Sequence, residues 1–325
     1  MNRMTRLLRW GGCLLLILVA PGCSMKRPAA SSPITYPRKD IIAEIKEFQR
    51  SVGFAPTGNF LEYSETTPAY YRCYYTGLLE LPDSYEELKL TQGDAAGCSL
   101  NEQEVDLFFY AIEAVASGTN PVTPSLAEAP LERLLVVVPH EDFHNQEETE
   151  AASPQIGEAA ATLIGFLTAS EFASGKYGVS SSTAQKLQRE AQLYREKATI
   201  VNSYYDRAKQ LYAQFHAGEM TRQETLARKS ELFTELNREC TSILPDPVSF
   251  NKCPAAMNNA GLAFDRTYIR YYPLLYEVYI SQGEDIRATI SALKRLMATG
   301  PQTEMDLAQS IQMNTPSGQA PAPLP

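Results

Sequence analysis

Histidine is scarce in this chain, with three residues in 325, and there is a single tryptophan. Basic residues are in deficit as well: 29 Lys and Arg stand against 38 Asp and Glu, a formal net charge of −9. No stretch interleaves basic and aromatic residues, so a nucleic-acid partner, or any polyanion, is excluded as an expectation. There is no internal repeat. The apolar run at residues 13–20 is too short to span a bilayer. Cysteine spacings fit no zinc ribbon.

What imidazole there is has been concentrated. Two of the three histidines, His140 and His144, frame the pentad His-Glu-Asp-Phe-His. On a helix, a separation of four residues puts both rings on one face, one turn apart, where they can reach one metal ion. Glu141 projects beside that face, placed to take a proton from water without itself ligating the metal. Zinc is the metal that this donor pattern suggests. The third histidine, His216, precedes Gly218 at a helix end and is read as a C-terminal dipole partner with no metal role.

A catalytic zinc takes three protein ligands and keeps one position open. Glu158 is the expected third ligand, because it is the only charge before Glu171 on the apolar helical stretch 156–173. A carboxylate in the first turn of a buried helix needs a partner. Glu148, four residues after His144, is the competing candidate, although it sits in an acidic turn with Glu147 and Glu150. Pro139, directly before the pentad, implies that the helix carrying the histidines either starts there or bends there.

These residues carry a resemblance. The pentad, the short polar excursion after it and the stretch Gly157 to Thr162 resemble predicted bacterial aminopeptidases of the H-E-x-x-H, gluzincin type. So does the downstream block Asn258-Asn259-Ala260-Gly261-Leu262-Ala263, followed by Tyr268 and Pro273, with weaker likeness between Phe48 and Leu81. The likeness covers most of residues 40–297. It departs from the family pattern at Asp142, Phe143, Asn145 and Gly157. Asp142 is expected to add negative charge near the metal, and Gly157 to leave out a hydrogen bond that an Asn would supply to the ligand set. The resemblance implies hydrolysis of a peptide substrate, with Zn2+ on His140, His144 and Glu158 and Glu141 as general base. Tyr268 is the candidate donor to the oxyanion, and Asn258 and Asn259 are candidates to hold the substrate backbone or brace the site. The alternative carried by the same residues is a non-catalytic envelope lipoprotein that keeps a degenerate metal site and binds a partner.

The N-terminus suggests where this takes place. Arg3, Arg6 and Arg9, the apolar run and Ala20-Pro21-Gly22-Cys23 have the order of a bacterial lipoprotein signal. Residues 1–22 would be the signal peptide, Cys23 the lipid-bearing residue and 23–39 a Pro- and Ser-rich tether. Ser24 points to the outer membrane, on its periplasmic side. Four further cysteines, Cys73, Cys98, Cys240 and Cys253, would then form two disulfides in an oxidising compartment. Three connectivities exist. The one that closes the shortest loops, Cys73 with Cys98 and Cys240 with Cys253, is preferred.

The fold class expected is α+β, predominantly helical, in one metallopeptidase-like domain over 40–299. A β-containing part (40–130) holds a Tyr-dense strand at 69–75 and an extended stretch at 78–81. An edge strand beside the metal would suit a peptide that binds by strand addition. The metal-site helices follow (131–175), then a helical hairpin, structural or a lid, and C-terminal helices (182–299). Helices are expected at 40–52, 182–215, 222–240 after the capping box Thr221 to Glu224, 255–270, 272–282 and 284–297. Residues 300–325 are expected to be a disordered tail.

Overall fold

A computed structural model of the chain describes residues 38–66, 71–114 and 118–314. The expected signal peptide, Cys23 and most of the expected tether lie outside the described residues. The architecture is α+β and predominantly helical, with a small sheet on the N-terminal side.

Helix α1 (Lys39–Val52) buries Ile42, Ile45 and Val52 on one face. It ends at Gly53, whose φ of +112° suits a residue without Cβ and lets its N–H reach back to Gln49 and Arg50. The sheet has the order β2 (Lys89–Gln92), β1 (Tyr71–Gly77), β3 (Val105–Ala111), all antiparallel. Residues 78–81 are not a strand; they turn away after Gly77 toward a 3₁₀ turn at Tyr85–Glu87. Strand β3, unmarked in the sequence reading, pairs with β1 from Tyr71 opposite Ala111 to Gly77 opposite Val105.

A short helix α2 (Pro124–Glu128) leads into α3 (Leu131–His144) and α4 (Pro154–Tyr177), the paired helices at the centre of the core. Pro139 lies inside α3, so the helix starts two turns earlier, at Leu131. Proline there has no N–H to give to the Leu135 carbonyl, and Leu134, Leu135 and Val138 are completely buried around it. Helices α5 (Ser182–His216) and α6 (Arg222–Thr241) form the expected hairpin, and both halves of the Thr221–Glu224 capping box are present. Because α5 packs on α4 as well as on α6, it is a wall of the core and not a lid.

Helix α7 (Asn259–Ile269) starts four residues later than expected, because Asn258 is extended and its side chain caps Gly261 N–H. Helices α8 (Tyr272–Ser281) and α9 (Ile286–Ala298) follow. The expected disordered tail is corrected over part of its length: Glu304–Asn314 is a helix, α10, packed on α9 with Leu307 fully buried and Ile311 half-buried one turn on. Asp306 holds its first turn by accepting from Gln302 and Thr303 N–H. The small apolar count of the tail is concentrated on one helical face, which composition alone does not reveal.

The disulfides are Cys73–Cys98 and Cys240–Cys253, with Cα separations of 5.9 and 5.3 Å. Among the described residues no helix is long and apolar enough to cross a membrane.

Candidate metal centre

The close approach of α3 and α4 assembles the site, and one residue permits it. At Gly165 of α4 an added Cβ would lie 2.8 Å from the Val136 carbonyl oxygen and 3.3 Å from His140 Cβ. Two turns toward the N-terminus of α4, Glu158 faces the pentad at the C-terminal end of α3. His144 Nε2 lies 3.0 Å from Glu158 Oε2, His140 Nε2 lies 3.2 Å from the same oxygen, and the two ring nitrogens are 3.3 Å apart.

Two imidazole nitrogens and a carboxylate oxygen thus form a nearly equilateral triangle. A tetrahedral site with bonds of about 2.0–2.1 Å has ligand edges of roughly 3.3–3.4 Å. The donor set fits such an ion in both size and chemistry. Among the described residues this is the His, Cys, Asp and Glu cluster that could hold a metal. Burial would raise the Glu158 carboxyl, but His144 and His140 beside it outweigh that and hold it well below the usual carboxylate value. Glu158 is therefore an anion ready to ligate. His144 responds in the opposite sense: burial disfavours its charge, yet Glu158 holds its pKa above the ordinary value. The other ring nitrogen of His140 is within reach of Thr162 Oγ1 at 3.4 Å, one turn beyond Glu158 on α4. Thr162 thereby supplies an orienting contact that Gly157 cannot.

Glu141 lies beside this triangle in a cavity of about 640 Å³ that also reaches His140, Tyr110 and Tyr268. Burial pushes the Glu141 carboxyl up, against the opposing pull of His140 and His144. Tyr268, on α7, sits with its ring 6.3 Å from that of His140. Burial pushes its hydroxyl well above the ordinary tyrosine value, so it stays protonated and able to donate.

Position corrects the readings of Asp142, Asn258 and Asn259, sets the competing Glu148 aside and leaves His216 where it was expected. Glu148 is on the 3₁₀ turn Glu147–Thr149, ion-paired to Lys294 at 3.2 Å, and does not approach the histidines. Asp142 does not charge the metal side of α3. It points to the opposite face, 1% exposed, where it meets Lys46 Nζ of α1 at 2.8 Å, Asn59 Nδ2 at 3.2 Å and the Thr57 hydroxyl. Asn258 and Asn259 touch neither the ligands nor the cavity. Asn258 Nδ2 donates to the Leu107 carbonyl, and Asn259 Nδ2 donates to the carbonyls of Leu78 and Glu80 while its Oδ1 accepts from Tyr212. They fasten α7 to the sheet, and so set where Tyr268 stands. His216 is exposed at the end of α5, away from the site.

Sequence reasoning missed the cavity's far wall: Glu113 with Arg133, Lys197 with Asp265, and the rings of Tyr110, Phe166, Tyr194, Phe250 and Phe264. It also missed that β3 is an edge strand facing the site. The Asn258 bond to Leu107 O crosses the outer edge, so by alternation Phe109 and Ala111 also turn their N–H and C=O away from β1.

A family model described as "Putative aminopeptidase" matches residues 58–307. The chain belongs to that family. No curated protein matches the chain, and no solved structure does. The match of the aminopeptidase family model runs from the segment behind the pentad helix, through both metal-site helices, to the first turn of α10. Family membership supports a peptidase.

Proposed function

We propose that the protein is a zinc-dependent peptidase of the aminopeptidase family, tethered by lipid on Cys23 to the periplasmic side of a bacterial outer membrane. The observation that carries the reading is the His140, His144, Glu158 triangle with the raised carboxyl of Glu141 beside it. Bound to these three residues, zinc would supply a Lewis acid that acidifies water and polarises a carbonyl.

The rest of the work falls to the chain. Glu141 accepts the proton of the attacking water and later passes it to the departing amine, a task helped by burial, which raises its pKa above the usual carboxylate value. Tyr268 donates its hydroxyl hydrogen to the substrate oxygen as it becomes anionic. The outward N–H and C=O groups of Phe109 and Ala111 hold the peptide backbone as an added strand.

Purified mature protein is expected to contain about one zinc per chain. His140→Ala, His144→Ala and Glu158→Gln should each lose it. Glu141→Gln should keep the metal while peptide hydrolysis drops by a factor on the order of 10² to 10⁴. If Glu158→Gln retains zinc, the ligand set is wrong; if wild type holds zinc and cleaves nothing in a broad peptide library, a binding lipoprotein replaces the enzyme. Cys23→Ala should abolish fatty-acid labelling, and labelling that persists would remove the anchor.

A further inference from the structure

An enzyme that strips single residues from a peptide's N-terminus must seat the substrate α-ammonium one residue from the scissile bond, hence beside the metal ligands. A buried ammonium needs an anion there, because an unpaired charge out of water is strongly disfavoured. All Asp and Glu of the chain fall among the described residues, so the anions near the cavity can be fully accounted for. Glu158 is in the ligand triangle, and Glu141, Glu113 and Asp265 line the cavity. The first is committed to the metal and the second to proton transfer.

The other two are already neutralised by cations from separate elements. Glu113 Oε2 accepts from Arg133 Nε at 2.9 Å and Nη2 at 2.6 Å, while Arg133 Nη1 donates to the Ser249 carbonyl at 2.9 Å. Lys197 Nζ lies 2.7 Å from Asp265 Oδ2, with a side chain only 4% exposed. Because each carboxylate's charge is already balanced by its cation, a substrate ammonium would bring a net positive charge into the cavity with no anion left to offset it. The rest of the wall includes an aromatic cluster: Phe166, Tyr194 and Phe250 pack against one another with centroids 4.9 to 5.5 Å apart, and Lys197 lies over two of these rings. Beyond the Asn258 bond to Leu107, the outward backbone groups of Phe109 and Ala111 on β3 are offered to chain on either side of a scissile bond.

We infer that the site takes the interior of a peptide, with a bulky apolar side chain in the cavity, and that a free α-amine contributes nothing to recognition. Action is then endopeptidic despite the family's description. This rests on the peptidase reading above, and binding and cleavage are measured separately so that the two can fail separately.

The probe is a pair of peptides of one sequence carrying a central Phe, one with a free N-terminus and one acetylated, titrated by calorimetry into zinc-loaded Glu141→Gln protein. Their Kd values should agree within about threefold, and replacing the Phe by Gly should weaken both by about tenfold or more. Wild type should cut both at the same internal bond, read by mass spectrometry. The inference is overturned if the free-amine peptide binds tenfold tighter and that preference vanishes in Glu113→Gln or Asp265→Asn. Stepwise trimming from free N-termini by wild type overturns it too. Equal binding without cleavage upholds the recognition and removes the hydrolytic function; binding of neither peptide removes both.

Discussion

At the scale of single residues, the site depends on a side chain that is not there. Gly165 brings α4 against α3 at His140, and an alanine would press its Cβ to 2.8 Å from a backbone oxygen, which cannot move aside as a flexible side chain would. Alanine is the better helix former by about 1 kcal/mol, but the clash is with main chain and wins. Gly165→Ala should therefore destabilise the protein by about 1–3 kcal/mol in urea unfolding and weaken zinc affinity, since the new Cβ crowds both the Val136 carbonyl and the Cβ of His140. Tyr268→Phe should do the reverse: zinc content and stability stay near wild type, and kcat falls by about 10- to 10³-fold with little change in KM. An unchanged kcat would return Tyr268 to helix packing. The His140, His144 and Glu158 cluster was legible in the sequence because its geometry is local, two histidines one turn apart and a lone carboxylate opening an apolar helix. The roles first considered for Asn258 and Asn259 were not, since the pairing of an amide with a carbonyl some 150 residues away leaves no spacing to read.

At the scale of elements, the pentad helix is pinned from behind. Lys46 of α1 and Asp142 of α3 form a buried pair, exposed by 9% and 2% at the side chains. Removing one member strands the other charge, which costs about 3–5 kcal/mol, whereas removing both for apolar residues of similar size costs far less. Lys46→Met should be strongly destabilising in urea unfolding, and Lys46→Met with Asp142→Leu should recover most of the loss; additive losses would show that the pair is not coupled. A second tie is sensitive to acid. Burial would raise the Asp83 carboxyl, but Arg270 and Arg266 of the α7 end outweigh it and hold the pKa below the usual value. A carboxylate depressed in the folded state binds fewer protons than when unfolded, so its contribution is complete above about pH 4 and fades as the pH falls through that range. Unfolding midpoints of wild type and Asp83→Asn should differ at pH 6 and converge below about pH 4. Helices were readable from apolar spacing and caps, with Thr221 and Glu224 the clearest. Among the strands β1 was readable from its tyrosines, but β2 is exposed at every residue, and β3 carries aromatics on both faces, with Phe108 against Phe264 and Phe109 against Tyr71, so neither shows apolar-polar alternation.

At the scale of the whole molecule, the disulfides join distant consequences. Each closes a modest loop, 25 and 13 residues apart in sequence, and loop-closure entropy assigns each about 3–3.5 kcal/mol. Energetically they are near equals, but they are attached to different things. Cys73 lies on β1 and ties the middle of the sheet to the segment beyond β2. Cys240–Cys253 brackets residues 247–251, which form one wall of the cavity and supply Phe250 and the Ser249 carbonyl that holds Arg133. Within that loop the Glu190 carboxylate accepts from the N–H groups of Val248 and Ser249, so the bridge and α5 hold the wall from two sides. None of these groups belongs to the His140, His144 and Glu158 cluster. Replacing Cys240 and Cys253 by serine should thus lower stability by about 3 kcal/mol while leaving zinc content unchanged and raising KM for peptides. Replacing Cys73 and Cys98 should cost similar stability with a smaller change in KM. If instead the Cys240 and Cys253 variant loses zinc, or keeps a wild-type KM, the loop is not the cavity wall that the geometry makes it.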